Sequence, residues 1–332
     1  MMHSVAPQVL SSCSPGGSQN APALQIQCPV CQKRLSHATS RPDLLCDGCG
    51  FLIAETNGIF RALKPQRAGH FSQFVREYET VRAKEGRGSS SAEFYFSLPY
   101  KDLTGRNSWQ WEIRARTFRC LEKRILPAME RAHPQGCDVL DIGAGNCWFS
   151  YRMALRGHRP AAVDLLDNDS DGLGAARHFL SRLPIRFPRF QAEMDHLPFA
   201  SSQFDLVVFN ASLHYSIDYT VTLGEALRCL RRPGVAIIAD SPLYQRDGSG
   251  QAMLAERRAV FQKQFGFASD SIPSLEYLTP ALLGSLEKTF SLRWNRLTPW
   301  YGWKWAMRPW RARLLGRREP SRFHLIWAEV RH

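Results

Sequence analysis

The stretch Val139-Leu140-Asp141-Ile142-Gly143-Ala144-Gly145-Asn146-Cys147 holds the residues best suited to bind a nucleotide. Its apolar start reads as a buried strand. The glycines let the backbone turn with no side chain in the way, and Trp148 to Leu155 reads as a helix that stops at Gly157. Such a unit lets a nucleotide-like ligand lie against bare backbone and a helix N-terminus. About twenty residues on, in Ala162-Val163-Asp164-Leu165, Asp164 stands where a carboxylate can accept from both hydroxyls of a ribose. A second constellation is Cys28, Cys31, Cys46 and Cys49, two Cys-x2-Cys pairs with 14 residues between them. Four thiolates at this spacing can hold one tetrahedral zinc, and with no position left open such a zinc is structural or partner-binding rather than catalytic. A third is Asn210 followed by His214 and Tyr215. A histidine just past a strand end can take an acceptor's proton near neutral pH.

The elements that must position these residues follow from alternation. Apolar runs predict strands near 137–143, 160–166, 186–193, 205–211 and 235–241, and helices near 146–156, 172–182 and 219–231. Strand and helix in turn imply a parallel sheet covered on both faces. Beyond Asp240, helices over 249–266 and 279–289 precede strands over Ser291–Thr298 and Arg322–Val330. Before the core, a charged helix spans Phe71 to Lys84 and an amphipathic one Trp109 to Arg131. The aromatic cluster Phe94 to Tyr100 reads either as a lid over a substrate or as packing on the sheet. Asp167-Asn168-Asp169-Ser170-Asp171-Gly172 lacks the closing Glu of a calcium loop and reads as a solvated turn.

The glycine turn, Asp164, Leu197-Pro198-Phe199 and Phe204-Asp205-Leu206-Val207-Val208-Phe209-Asn210 together resemble the class I S-adenosylmethionine-dependent methyltransferases over Cys137 to Asp240. The resemblance implies a Rossmann-like α/β fold with a seven-stranded sheet of order 3-2-1-4-5-7-6. It implies that Asp141, Gly143, Ala144 and Gly145 meet the methionine end of S-adenosylmethionine, and that Asp164 and Leu165 meet its ribose. It sets Glu193 near the adenine, with Asp195 as the other candidate, and Asn210 at the methyl-transfer mouth. That family usually has a third glycine where this chain has Cys147. The cysteine segment, with Asn57-Gly58-Ile59-Phe60-Arg61-Ala62-Leu63 behind it, is similar to the Trm112-like zinc ribbons.

The chain of 332 residues can bury a sizeable core, and 44% hydrophobic with 22% charged residues is the balance of a globular protein. No apolar run approaches the roughly 20 residues of a membrane helix, no secretory signal is evident, and nine cysteines, four in a metal pattern, suit a reducing cytoplasm. The expected organisation is a disordered tail over 1–24, a zinc ribbon over 25–64, a linker and lid segment over 65–107, and a catalytic domain over 108–332. A basic aromatic insertion occupies 299–321. Net charge of +13 suits RNA, an anionic membrane surface or an acidic substrate. Aromatics interleaved with arginines in the insertion can stack on a flat acceptor, hold RNA bases or lie in a membrane interface. The acceptor reading leans to a small or lipid-like molecule, with RNA as the rival. A non-catalytic binding or activating protein, using the ribbon to engage a protein partner, is the reading from a different class.

Overall fold

The computed structural model describes residues 24–37 and 43–331, so the expected disordered tail lies outside the described residues except for Leu24. The strands β1 (Ser36–His37), β2 (Leu44–Leu45) and β3 (Leu52–Ile53) make a small antiparallel sheet beside the four cysteines. The hairpin of β4 (Glu55–Thr56) and β5 (Ile59–Arg61) turns on Asn57 and Gly58, both at positive φ. Four helices follow: α1 (Pro65–Lys84), α2 (Ala92–Ser97), α3 (Ser108–Arg124) and α4 (Leu126–Ala132). The alternating part comprises β6 (Asp138–Ile142), α5 (Trp148–Leu155), β7 (Arg159–Asp164), α6 (Arg177–Leu180), β8 (Arg189–Gln191), β9 (Phe204–Asn210), α7 (Tyr219–Cys229) and β10 (Leu230–Ala239). Then come α8 (Asp247–Phe265), α9 (Pro280–Phe290), β11 (Asn295–Leu297), α10 (Trp303–Ala306), α11 (Arg308–Leu314) and β12 (Leu325–Val330).

The main sheet runs β11-β12-β10-β9-β6-β7-β8-β5-β4. From β10 across to β5 every pairing is parallel, and β12, β11 and β4 join antiparallel. The expected seven strands are corrected to nine. The added pair is β4–β5, a hairpin that the sequence placed within the ribbon. The outer edge of β8 leaves N–H and C=O groups to be paired, and β5 pairs with it from Ile59↔Arg189 to Arg61↔Gln191. The Arg189 guanidinium fixes the hairpin turn by donating to the Asn57 carbonyl at 3.0 Å.

Near-continuous apolar strands are what two-sided cover demands. Phe204 through Phe209 are all buried, and their sides alternate. Val139, Leu206 and Val208 pack with Trp111, Phe118 and Trp148 on one face. Leu140, Val207 and Phe209 pack with Leu223, Leu283 and Leu286 on the other. Each such side chain contributes about 1.5–3 kcal/mol when fully buried.

The aromatic cluster after α1 packs against the domain. Phe94, Tyr95 and Leu98 are buried, and Tyr95 stacks on His178 at 4.5 Å. Arg152 ties the segment down by donating to the carbonyls of Leu98 (2.6 Å) and Phe96 (2.7 Å). The ribbon docks on the core through Leu-Pro-Phe: Gln27 N–H donates to the Pro198 carbonyl at 3.0 Å and Ala200 N–H to the Gln25 carbonyl at 3.0 Å. Among the described residues no helix is long and apolar enough to cross a membrane.

Candidate functional site

The turn between β6 and α5 is tied to the neighbouring strand, since the N–H groups of Gly143 and Ala144 both donate to the Val163 carbonyl, at 2.8 and 3.0 Å. Gly143 has φ +73°, and a Cβ there would stand 2.3 Å from the Ser212 Cβ. Cys147, in the place of the third glycine, also adopts the left-handed conformation, at φ 63°. It is fully buried, and burial holds its thiol well above the ordinary range. The backbone demand is thus that of a glycine, met by a small side chain at a cost of about 1 kcal/mol. Cys147→Gly should leave stability within about 1 kcal/mol, because relief of strain offsets the lost burial. Cys147→Val, branched where φ is positive, should cost about 2 kcal/mol or more. Urea unfolding of both variants checks the pair.

Asp164 ends β7 and its carboxylate is already half used. Oδ2 accepts from the Gly145 N–H at 2.7 Å and Oδ1 from the Leu166 N–H at 2.8 Å. Burial pushes its pKa up to about 6. Asp141 lies behind the turn: Oδ2 accepts from the Ser150 hydroxyl at 2.7 Å, and burial pushes the carboxyl up to about 7. Its side chain braces the first turn of α5 rather than facing the cleft.

A cleft open to solvent lies over the carboxyl ends of β6, β7 and β9. Gly143, Ala144, Gly145, Asp164, Leu165 and Asn210 line one side. Glu193, Asp195 and Tyr215 line it as well. Glu193 is buried, and its Oε2 accepts from Arg67 Nε at 2.7 Å while Oε1 has no hydrogen-bond partner. Burial raises its pKa, against the pull of Arg67.

His214 is the site residue that the structure turns away. It is buried, does not line the cleft, and sets Nδ1 3.2 Å from the Ser241 hydroxyl. Burial, aided by the charges of Arg114 and Arg257, lowers its pKa to about 3. The structure thus sets His214, expected to take an acceptor's proton, against Ser241 beneath the cleft wall rather than in its lining.

The opposite wall was not foreseen. Phe71, Phe74, Tyr78 and Arg82 of α1 line the cleft. Their spacing of three, four and four residues is one helix face, a signal present in the sequence but read there as a charged linker helix. Acids around the mouth latch α1 and its approach. Arg82 Nε donates to Asp171 at 2.5 Å, Asn168 Nδ2 to Glu79 at 2.8 Å, and Arg61 pairs with Asp167. The acidic run 167–171 is therefore a clasp for arginines rather than a solvated turn. Arg114 of α3 also lines the cleft. Its guanidinium lies 4.7 Å from the Trp111 ring and makes no hydrogen bond or ion pair with any described residue. Burial and the charges of Arg87 and Arg82 lower its pKa to about 10, so it stays cationic.

The four ribbon sulfurs all lie within 4.8 Å of one another, Cys28 to Cys49 at 3.6 Å and Cys31 to Cys46 at 3.4 Å. A tetrahedral zinc with Zn–S bonds of about 2.3 Å sets its sulfurs about 3.8 Å apart, so the donor set fits that ion.

Comparison with known proteins places this geometry. Residues 140–238 match the family described as methyltransferase domain. The fatty-acid O-methyltransferase of Mycolicibacterium smegmatis is 30% identical over 165 residues, 46% of this chain and 59% of that protein. The ubiquinone/menaquinone biosynthesis C-methyltransferase UbiE of Rhizobium etli is 26% identical over 129 residues, 37% of this chain and 50% of that protein. Among solved structures, the YcgJ protein of Bacillus subtilis aligns with a TM-score of 0.43 at 15% identity, over 62% of this chain and 98% of that one. The chain spans about half the length of the curated relatives it matches. The methyltransferase-domain match runs from β6 to β10 and so includes β6, β7 and β9, the strands whose carboxyl ends build the cleft.

Proposed function

We propose that the protein is an S-adenosylmethionine-dependent methyltransferase acting on a lipid-like acceptor that bears a carboxylate, with a structural zinc in the four-cysteine ribbon. S-adenosylmethionine, when bound, supplies an electrophilic sulfonium methyl. The chain's own work is then to hold donor and acceptor in line and to keep water out. Asp164 takes the ribose hydroxyls on its remaining lone pairs, and Gly143 to Gly145 offer bare backbone to the methionine end. Glu193 and Asp195 flank the adenine. Asn210 sits at the mouth, and Phe71, Phe74, Tyr78 and Tyr215 give an apolar wall to the acceptor. A matched domain over β6 to β10 supports the reaction class. The methyltransferase relatives that act on fatty acids and quinones support an apolar acceptor.

The observation that carries the acceptor class is Arg114, a cation that lines the cleft beside the Trp111 ring, feels the charges of Asp240 and Asp171, and makes no hydrogen bond or ion pair with a described residue. A guanidinium pairs in a fork with a carboxylate. A carboxylate is itself the nucleophile and has no proton to lose, so the displaced His214 leaves no gap in the chemistry. Activity with labelled cofactor and long-chain fatty acids tests this. Arg114→Gln should raise the acceptor KM about 30- to 100-fold, the worth of a charged hydrogen-bonded pair, with the cofactor KM changed less than about threefold. A rise confined to the cofactor KM would assign Arg114 to the cofactor's own carboxylate and remove the argument for an anionic acceptor.

A further inference from the structure

The segment between β11 and β12 exposes apolar side chains that no packing explains. Trp300, Trp303, Met307, Trp310, Leu314 and Leu315 are six of the eighteen large exposed apolar side chains among the described residues, gathered in 16 residues of chain. Trp303 is 76% exposed and Leu314 66%. The same segment, Pro299 to Arg318, carries six basic residues and no acidic one. Of these, Lys304, Arg311, Arg313 and Arg317 are exposed, and none forms an ion pair with a described residue.

The segment is nonetheless anchored. Tyr301 is buried with its hydroxyl 2.8 Å from that of Thr117, Arg116 donates to the Trp300 carbonyl at 2.8 Å, and Trp305 stacks on Phe323 at 5.5 Å. The Arg308 guanidinium covers the Trp305 ring at 3.7 Å. One set of aromatics therefore fixes α10 and α11 to the domain, and another set points away from it.

Position adds a reason. Leu325 at the start of β12 pairs with Ala239 at the end of β10, and Leu297 at the end of β11 pairs with Leu325. The segment thus leaves the sheet at the carboxyl ends of the parallel strands, the end at which the cleft opens. Thr117, which binds Tyr301, is one turn from Arg114 on α3.

We propose that α10 and α11 dock the protein on an anionic membrane surface, with the tryptophans and leucines in the headgroup boundary and the arginines against lipid phosphates. Tryptophan with flanking arginine is the composition of an interfacial element. RNA fits less well, because base stacking uses aromatic faces and gives no role to Met307, Leu314 and Leu315. This docking deepens the lipid-like acceptor reading, since it brings the cleft end to the phase where such acceptors reside, but it is measured without cofactor or acceptor.

The test is co-sedimentation of the full chain with vesicles of phosphatidylcholine, with and without phosphatidylglycerol, at low and high salt. The expected result is binding that needs phosphatidylglycerol, weakens with salt, and falls about tenfold or more in the Trp303→Ala/Trp310→Ala double variant. Arg311→Ser/Arg313→Ser should lose the lipid-charge dependence. Thermal unfolding should be unchanged in both variants, because these side chains are exposed. No binding to either vesicle would overturn the proposal, as would binding indifferent to the tryptophans. Retention on single-stranded RNA that the same tryptophans control, with no vesicle binding, would overturn it in favour of RNA. Calorimetric titration with S-adenosylmethionine, run on the same samples, reports separately on the methyltransferase reading.

Discussion

Asp164→Ala should reduce affinity for S-adenosylmethionine by about 100-fold or more. Two ribose hydroxyls donating to a carboxylate are charge-assisted bonds of about 1.5–3 kcal/mol each, and together they exceed the roughly 2.7 kcal/mol that a hundredfold requires. The substitution also frees the Gly145 and Leu166 N–H groups that now end on Asp164. Asp164→Asn separates the two effects, keeping an acceptor for one backbone N–H while removing the charge. Calorimetric titration of wild type and both variants decides. Equal affinity in Asp164→Ala would remove the ribose assignment.

The same carboxyl predicts a pH dependence whose sign differs between binding and folding. With a pKa near 6 in the free protein, Asp164 is protonated below that value and accepts poorly from the ribose. Cofactor affinity should therefore rise with pH through about 6 and level off above it. For the fold the sign is reversed. A carboxyl raised above its unfolded value contributes stability that is present at low pH and lost as pH rises through the folded pKa. Asp141, raised by burial to about 7, adds to the loss in the same direction. His214, lowered by burial to about 3, titrates with the opposite sign, so the carboxyl share is read as the difference in urea midpoint between wild type and Asp141→Asn, which should fall between about pH 4 and 7 while cofactor titrations over the same range improve.

How much of this was legible depends on how local each signal is. The turn Gly143 to Gly145 and Asp164 are set by backbone geometry and a short spacing, and their types and positions announce them. The mostly parallel sheet follows from strand–helix alternation, which is also local. The capture of β4–β5 by the edge of β8 joins residues about 130 positions apart, and nothing within Glu55 to Arg61 distinguishes a hairpin that closes a ribbon from one that extends another sheet. Phe71, Phe74, Tyr78 and Arg82 carry the spacing of one helix face, but which partner that face meets is tertiary information. His214 misled for a related reason. Four residues past a strand end, its side chain can point into the mouth or under it, and the 3₁₀ turn Leu213–Tyr215 sends His214 inward and Tyr215 to the cleft. Arg114 had no signal, since an arginine on an amphipathic helix reads as solvent-facing until the neighbours on α1 are in place.

Cys46→Ser should abolish zinc binding and weaken the cofactor site from a distance. The wild-type chain is expected to carry one zinc, and the variant, left with three thiolates, to lose it on mild chelation. The ribbon has little core of its own, since its buried Leu44 and Ile53 join the core on one face of the main sheet, so β1 to β3 should loosen when the metal goes. The main sheet should survive, because helices cover both faces of its parallel strands and the ribbon adds only Leu44 and Ile53 to one of them. The consequence for the cleft runs through the chain. β3 leads directly into β4–β5, and Arg61 of β5 clasps Asp167 four residues before α1 begins at Pro65. Loosening that hairpin frees the start of α1, which supplies Arg67 to Glu193 and Phe71 and Phe74 to the wall. Cofactor affinity should then fall about tenfold, less than in Asp164→Ala, since the ribose contacts themselves are untouched. Metal analysis, limited proteolysis across residues 25–53 and cofactor titration form one set of measurements. Zinc retained in full by Cys46→Ser would sink the four-thiolate assignment. Zinc lost with cofactor affinity intact would keep that assignment and cut the link from ribbon to α1.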